Sequence, residues 1–212
     1  MASGFGLLLV GATGAVGQAV LEQALDRRDI RRITAPTRRP LAQHSTKLFN
    51  PVLDLATLTG KEDFWTCDAV ICTLGTTIRA AGSQAAFARI DRDLPVQVGR
   101  FAKAAGATRY ALNSSLGASA KGNFYLRTKA EAEQGIVELE FASTTLVRPS
   151  LIDAKRDRSR PAEHLGVLLA RVLKPAIPKK YRVVTPQQIA AALLQGVLAG
   201  EPGVRIVESD AL

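Results

Sequence analysis

Only two cysteines, Cys67 and Cys72, occur in the 212 residues, and they stand too far apart for a Cys-x-x-Cys redox or zinc pair. Cys72 lies in the apolar run AVICTLG, where a buried, reduced thiol is expected; a reducing cytosol fits this. No metal site is expected. Aromatic residues make up 5% of the chain, which leaves few rings to stack on bases. No helix-turn-helix, zinc-finger or RNA-binding signature is present. No apolar stretch is long enough to span a membrane. The N-terminus, MASGFGLLLVGATGAVGQAVL, lacks the basic start of a signal peptide, and glycines cut its apolar run short. Internal repeats and low-complexity tracts are also missing. These absences favour a cytoplasmic globular protein whose partner is a small molecule, with no membrane and no nucleic acid as its main ligand.

What is present is a core-forming composition, 47% apolar and 22% charged, in a length suited to one domain over 1–212. The formal net charge of +9 admits three readings: nucleic acid, an anionic membrane surface, or small anionic ligands. Basic residues are dispersed in pairs, with one denser run, KRDRSR (155–160). That run reads either as a substrate-facing loop for an acidic group or as solvated surface.

Short β-rich apolar runs alternate with helical segments. Strands are expected at FGLLLV (5–10), RRITAPT (31–37), DAVICTLG (68–75), RYALNSS (109–115) and STTLVRPSLI (143–152). A weaker strand at LFNPVLDL (48–55) is interrupted by Pro51. Helices are expected at 15–28, over most of 83–106, and at NFYLRTKAEAEQ (123–134). Strands buried on both sides and separated by helices indicate a parallel sheet with helices on each face. Beyond Ile152 the rhythm changes: a charged stretch, a helix at AEHLGVLLARVLK (162–174), a helix at PQQIAAALLQGVLAG (186–200) and a short strand at GVRIVES (203–209). The expectation is a small C-terminal lobe over 153–212, added to the sheet and not a separate domain. The apolar helix at 186–200 can pack inside the lobe or against another subunit, so monomer and homo-oligomer both stay open.

The loop GATGAVG (11–17) follows the first strand at once and opens the first helix, the context a glycine motif requires. Gly11 permits the tight turn, Gly14 lets backbone approach a pyrophosphate, and Gly17 lets helix pack on strand. Together with Ala12, Thr13, Ala15 and Val16 it forms a dinucleotide phosphate loop at a helix N-terminus. The fold expected is therefore α/β, a doubly wound parallel sheet of the NAD(P)-binding Rossmann type. At the end of the second strand, where an NAD site usually carries a carboxylate, the chain reads APTRRP. Arg38 and Arg39 can fork onto a 2′-phosphate, which a carboxylate would repel, so NADP is favoured over NAD; an exposed arginine pair on a basic protein is the plainer alternative. Leu74 and Gly75, ending the fourth strand, are expected beside the adenosine half.

Tyr125 and Lys129 stand four apart in the helix after the fifth strand and so share a face. A Tyr-x-x-x-Lys match is cheap by itself. Its position changes its weight, because ligands of a doubly wound sheet bind beyond the carboxyl ends of the strands. An ammonium beside a phenol favours the phenolate. Ser115 would hold a substrate oxygen while Tyr125 gives or takes its proton, and Lys129 could also bond the nicotinamide ribose. Ser114 and Ser115 could equally do no more than satisfy backbone groups.

The spacing Gly-x-x-Gly-x-x-Gly resembles the extended and atypical members of the short-chain dehydrogenase/reductase superfamily. With CTLGTT (72–77), RIDRDLP (89–95), NSSLGA (113–118), NFYLRTKAEAE and LVRPSLI (146–152), the chain resembles the Tat-interacting oxidoreductase-like group over most of residues 5–152. The resemblance implies an NADP-binding Rossmann fold with epimerase/dehydratase-like relatives, and Tyr125 as proton donor or acceptor partnered by Lys129. It also implies Asp54 near the adenine and Pro149, Ser150 and Leu151 along the nicotinamide side. One departure is Asp91, where extended members commonly carry an asparagine; its carboxylate could pair with Lys129 or with Arg92. Two functions follow: an NADP(H)-dependent oxidoreductase acting on a small carbonyl or alcohol, or an NADP(H)-binding regulator with little turnover.

Overall fold

The run FGLLLV forms β1 (Phe5–Val10), and its side chains alternate between two interiors. Leu7 and Leu9 enter one apolar cluster, while Leu8 and Val10 enter the other. Ala69 with Ile71, and Val70 with Cys72, divide the same way along β4 (Ala69–Cys72). A strand buried on both faces must be apolar throughout, which explains why these runs show no polar alternation. The structure, a computed structural model, describes residues 4–153 and 178–212.

Between these strands lie α1 (Ala15–Asp26), β2 (Ile30–Thr34) and β3 (Leu48–Phe49). After β4 come α2 (Ile78–Ala81), α3 (Gln84–Ala88), a π-helical turn (Arg89–Asp93) and α4 (Leu94–Ala104). The chain continues through β5 (Arg109–Asn113), α5 (Phe124–Val137), β6 (Ser143–Arg148), α6 (Pro186–Ala199) and β7 (Gly203–Glu208). The seven strands run in the order β3-β2-β1-β4-β5-β6-β7, and every pair is parallel. The order reverses between β1 and β4, so the switch point and all the carboxyl ends lie on one edge. This is the doubly wound α/β sheet.

Helices α1 and α6 cover one face through Val20, Leu21, Ile189 and Leu193; α4 and α5 cover the other through Val98, Ala102, Ala132 and Ile136. Each such leucine or isoleucine, fully buried, contributes about 1.5–3 kcal/mol.

The third strand is shorter than its motif. Only Leu48 and Phe49 pair with β2 before Pro51, and one bridge from Thr37 to Val52 resumes contact beyond it. The helix expected over most of 83–106 runs without a break from Gln84 to Ala104, and within it the ladder shifts to i→i+5 where Leu94 N–H bonds the Arg89 carbonyl, just ahead of Pro95, which has no N–H to give. Of the lobe expected over 153–212, the helix at 162–174 and the basic run at 155–160 lie outside the described residues. Within 178–212, Pro186–Ala199 joins the helical layer and Gly203–Glu208 joins the sheet. Helix α6 starts at a Thr185–Gln188 capping box with Pro186 in its first turn and ends at Gly200 with φ +60°. Its Gly196 packs so closely on β6 that a Cβ would lie 2.4 Å from Thr145 Oγ1. Among the described residues, no helix is long and apolar enough to cross a membrane.

Candidate active site

The phosphate loop is built by steric need. Gly11 has φ +94°, and a Cβ there would lie 2.7 Å from the Thr73 backbone. At Gly17 a Cβ would lie 2.1 Å from the Gly11 carbonyl oxygen, so only glycine lets α1 close on the turn. Gly14 differs: its nearest neighbour would be that same oxygen at 3.5 Å. Space above Gly14 is therefore open, and as N-cap of α1 it supplies no side-chain acceptor to the first-turn amides. Open amides at the positive end of a twelve-residue helix suit a pyrophosphate. Ala12 and Val16 are buried beneath the loop, while Thr13 and Ala15 face outward.

Past β2, Thr37 fixes the next corner. Its N–H bonds the Pro51 carbonyl at 3.0 Å and its carbonyl accepts from Leu53 at 2.9 Å, which ties the TRR turn to the chain entering Asp54. Arg38 and Arg39 are exposed, and among the described residues neither guanidinium has a hydrogen-bond or ion-pair partner. Asp54 is exposed and accepts the Ala56 N–H at 3.0 Å, capping a short 3₁₀ turn.

The loop after β4 joins this edge to Lys129 and Tyr125. It touches Gly11 through Thr73 and Leu74, and a Cβ on Gly75 would lie 3.6 Å from Asp91 Oδ1 and 3.8 Å from Lys129 Nζ. Lys129 is 6% exposed and Asp91 is 1% exposed; they form an ion pair at 2.7 Å. The second Asp91 oxygen accepts the Thr76 N–H at 2.9 Å. Burial pushes the Asp91 carboxyl up, with Lys129 opposing. Lys129 Nζ lies 6.0 Å from the centre of the Tyr125 ring, and that ring packs on Phe87 at 5.5 Å.

Ser115 is held between two backbone bonds that extend β5 along β6, Ser114 N–H to Val147 and Leu116 N–H to Pro149, both 2.8 Å. Its hydroxyl has only a 3.5 Å contact to the Leu116 carbonyl, too long to occupy it. Ser114 is instead spent on structure: its hydroxyl donates to Glu133, which Arg148 grips with two nitrogens at 2.9 and 2.6 Å. On the far side Pro149 is buried, and the Ser150 hydroxyl donates to the Arg182 carbonyl while its N–H bonds Ser209 Oγ at 3.1 Å. Leu151 is 69% exposed. Among the expected nicotinamide-side residues, then, Leu151 presents a free side chain and Ser150 does not.

A family profile described as NAD(P)H-binding matches residues 11–195, the glycine loop through most of α6. The chain belongs to the NAD(P)H-binding family. Among relatives, the protein fmp52, mitochondrial, of Emericella nidulans is 36% identical over 176 residues, 78% of this chain and 74% of its own. HTATIP2 of Rattus norvegicus is 28% identical over 211 residues, 97% of this chain and 87% of its own. It agrees with the Tat-interacting resemblance carried by the motifs. Two solved structures share the fold. WbmH of Bordetella bronchiseptica, in complex with NAD+, superposes at TM-score 0.73 and 15% identity over 98% of this chain and 76% of its own. A short chain dehydrogenase family protein of Francisella tularensis does so at TM-score 0.67 and 15% identity over 99% of both chains.

Within this NAD(P)H-binding chain, two features were not assigned from the sequence. Asp91 had two candidate partners, and it takes Lys129 because Arg92 turns outward to Asp93 at 2.7 Å and Glu131 at 2.8 Å. The Ser114–Glu133–Arg148 cluster had no local signal beyond Glu133 standing four residues after Lys129.

Proposed function

We propose that this protein is an NADP(H)-dependent oxidoreductase of the short-chain dehydrogenase type, acting on a small carbonyl or alcohol. The observation that supports it best is the unbroken line from Gly11 through Leu74 and Gly75 to Lys129 and Tyr125. A dinucleotide laid from the phosphate loop along that line ends beside the tyrosine. A bound nicotinamide would supply the hydride chemistry. Within the chain, Ser115 offers a free hydroxyl to the substrate oxygen, and Tyr125 gives the proton in reduction or takes it in oxidation. Lys129 Nζ lies 6.0 Å from the centre of the Tyr125 ring and beside the Gly75 backbone, where a ribose would lie. Arg38 and Arg39, unpaired at the end of β2, favour a 2′-phosphate.

The test follows NADPH oxidation with a panel of small aldehydes, ketones and quinones. Tyr125→Phe should lower kcat/KM at least 100-fold while leaving NADPH affinity within a few-fold. The double change Arg38→Ala with Arg39→Ala should weaken NADPH more than NADH. Turnover unaffected by the tyrosine, or tighter binding of NADH, would overturn the respective parts.

The regulator reading has one observation in its favour: Asp91 pairs with the Lys129 ammonium at 2.7 Å and so offsets part of the charge that would activate Tyr125. NADPH binding without Tyr125-dependent turnover would select it. For location, we favour a reducing compartment. Cys67 and Cys72 are free thiols, and burial pushes Cys67 up to about 12. The cytosol and the mitochondrion named for the fungal relatives both satisfy this.

A further inference from the structure

Lys129 does not approach Tyr125 as an isolated charge. Its ammonium is bound at 2.7 Å by a carboxylate that is itself 1% exposed. The carboxylate belongs to Asp91, in the middle of the π-helical turn Arg89–Asp93. Such turns insert an extra residue and re-aim side chains, and they recur at functional sites. Here the turn aims Asp91 inward while Arg92 stays outside with Asp93 and Glu131. Among the described residues, the Asp91 oxygen that meets Lys129 has no further hydrogen bond. The other oxygen holds the Thr76 N–H, in the same loop as Leu74 and Gly75. One carboxylate thus joins the π turn, helix α5 and the cofactor-side loop.

Among the described residues, the groups facing this pair are few. From α5 come Lys129 and Tyr125, with Glu133 one turn on but engaged by Arg148 and Ser114. From the loop after β4 come the backbone of Gly75 and the Thr76 N–H. From β4 comes the Cys72 thiol, which burial pushes up, so that it stays neutral. From α3 comes the apolar ring of Phe87. Among the described residues Asp91 is therefore the negative charge closest to the lysine, and at 2.7 Å it converts the ammonium into one end of a dipole.

We propose that Asp91 is a positioning residue that anchors Lys129 to the cofactor loop and tempers its charge, so that the Tyr125 phenol meets an ion pair and not a lone ammonium. This rests on Tyr125 and Lys129 being the proton-transfer pair. An asparagine at 91 would keep the acceptor for Thr76 and lose the tempering. The consequence is a site that works at higher pH than its asparagine version, a setting imposed by one carboxylate.

The test compares wild type with Asp91→Asn in two ways. Phenolate absorbance is titrated with the matching Tyr125→Phe protein subtracted, and kcat/KM is profiled against pH. In Asp91→Asn, the Tyr125 phenolate titration and the alkaline limb of the NADPH-oxidation profile, where Tyr125 must keep its proton, should both move down by about one pH unit. In a Lys129→Met background the same substitution should move the titration by less than half as much. No shift, an upward shift, or a full-sized shift without Lys129 would overturn the proposal. Should Asp91→Asn fail to fold, Asp91→Ser removes the same charge and is read the same way. A protein that turns over no substrate defeats the enzymatic reading alone, since the phenolate titration still decides the role of Asp91.

Discussion

Two buried ion pairs hang from α5 one turn apart, and they are built on opposite principles. Glu133 is saturated: Arg148 grips both its oxygens at 2.9 and 2.6 Å, Ser114 donates to one of them, and Arg148 reaches on to Glu208 at 3.1 Å. Lys129 and Asp91 share a single contact at 2.7 Å, and among the described residues the bonded oxygen has no other hydrogen bond. A buried charge network stabilises only when its remaining hydrogen-bonding capacity is filled. By that rule the Glu133 cluster is a clamp fastening α5 to β5, β6 and β7. The Lys129 pair is left with capacity unfilled, and it faces the loop of Gly75 and Thr76. Two ion pairs on one helix thus differ in how completely their hydrogen-bonding capacity is filled.

The sharpest way to break this comparison is Arg148→Ala. It leaves the Glu133 carboxylate, 6% exposed at its side chain, with no countercharge. Removing one partner of a buried pair costs about 3–5 kcal/mol, so urea unfolding should show a loss of that size. A loss below about 1 kcal/mol would mean that the clamp is ornamental and the contrast with Lys129 is false.

How far these features could be read beforehand follows from the kind of constraint behind each. Gly11 and Gly17 were legible because backbone sterics admit no other residue, and Tyr125 with Lys129 because helical spacing puts them on one face. Pro51 announced the break in β3 for the same local reason. The Glu133 cluster was not legible, since it gathers residues 114, 133, 148 and 208 from four separate elements. Asp91 stood between. Its identity was visible as a departure from the asparagine of extended relatives, but the choice of Lys129 over Arg92 depends on a π turn, which adds one residue to the ladder and rotates the two side chains apart. The C-terminal strand was recognisable as a strand from GVRIVE, whereas its place at the sheet edge beside β6 is a long-range fact.

A smaller effect sharpens the clamp from its rim. Glu208 is 37% exposed at its side chain and meets Arg148 through one contact at 3.1 Å. Solvent screens such a pair, so Glu208→Gln should cost less than about 1 kcal/mol in the same urea measurement. A cost near that of Arg148→Ala would show that β7, not α5, is what the arginine secures.

The smallest expected effect separates the two pairs by pH. Burial raises the Asp91 carboxyl above its ordinary value, and Lys129 offsets this only in part. Between the unfolded value, about 3.9, and the raised folded value, the folded protein keeps a proton that the unfolded chain has released. Stability from this group therefore falls as pH rises through that window, with a slope of at most about 1.4 kcal/mol per pH unit. Asp91→Asn has no carboxyl to titrate. The stability of wild type relative to Asp91→Asn should thus decline as pH is raised from about 4 upward and then level off, read from unfolding midpoints in matched buffers. A difference that grows with pH would mean that the ammonium outweighs burial. Asp91 would then belong with Glu133 among the residues that hold α5 in place.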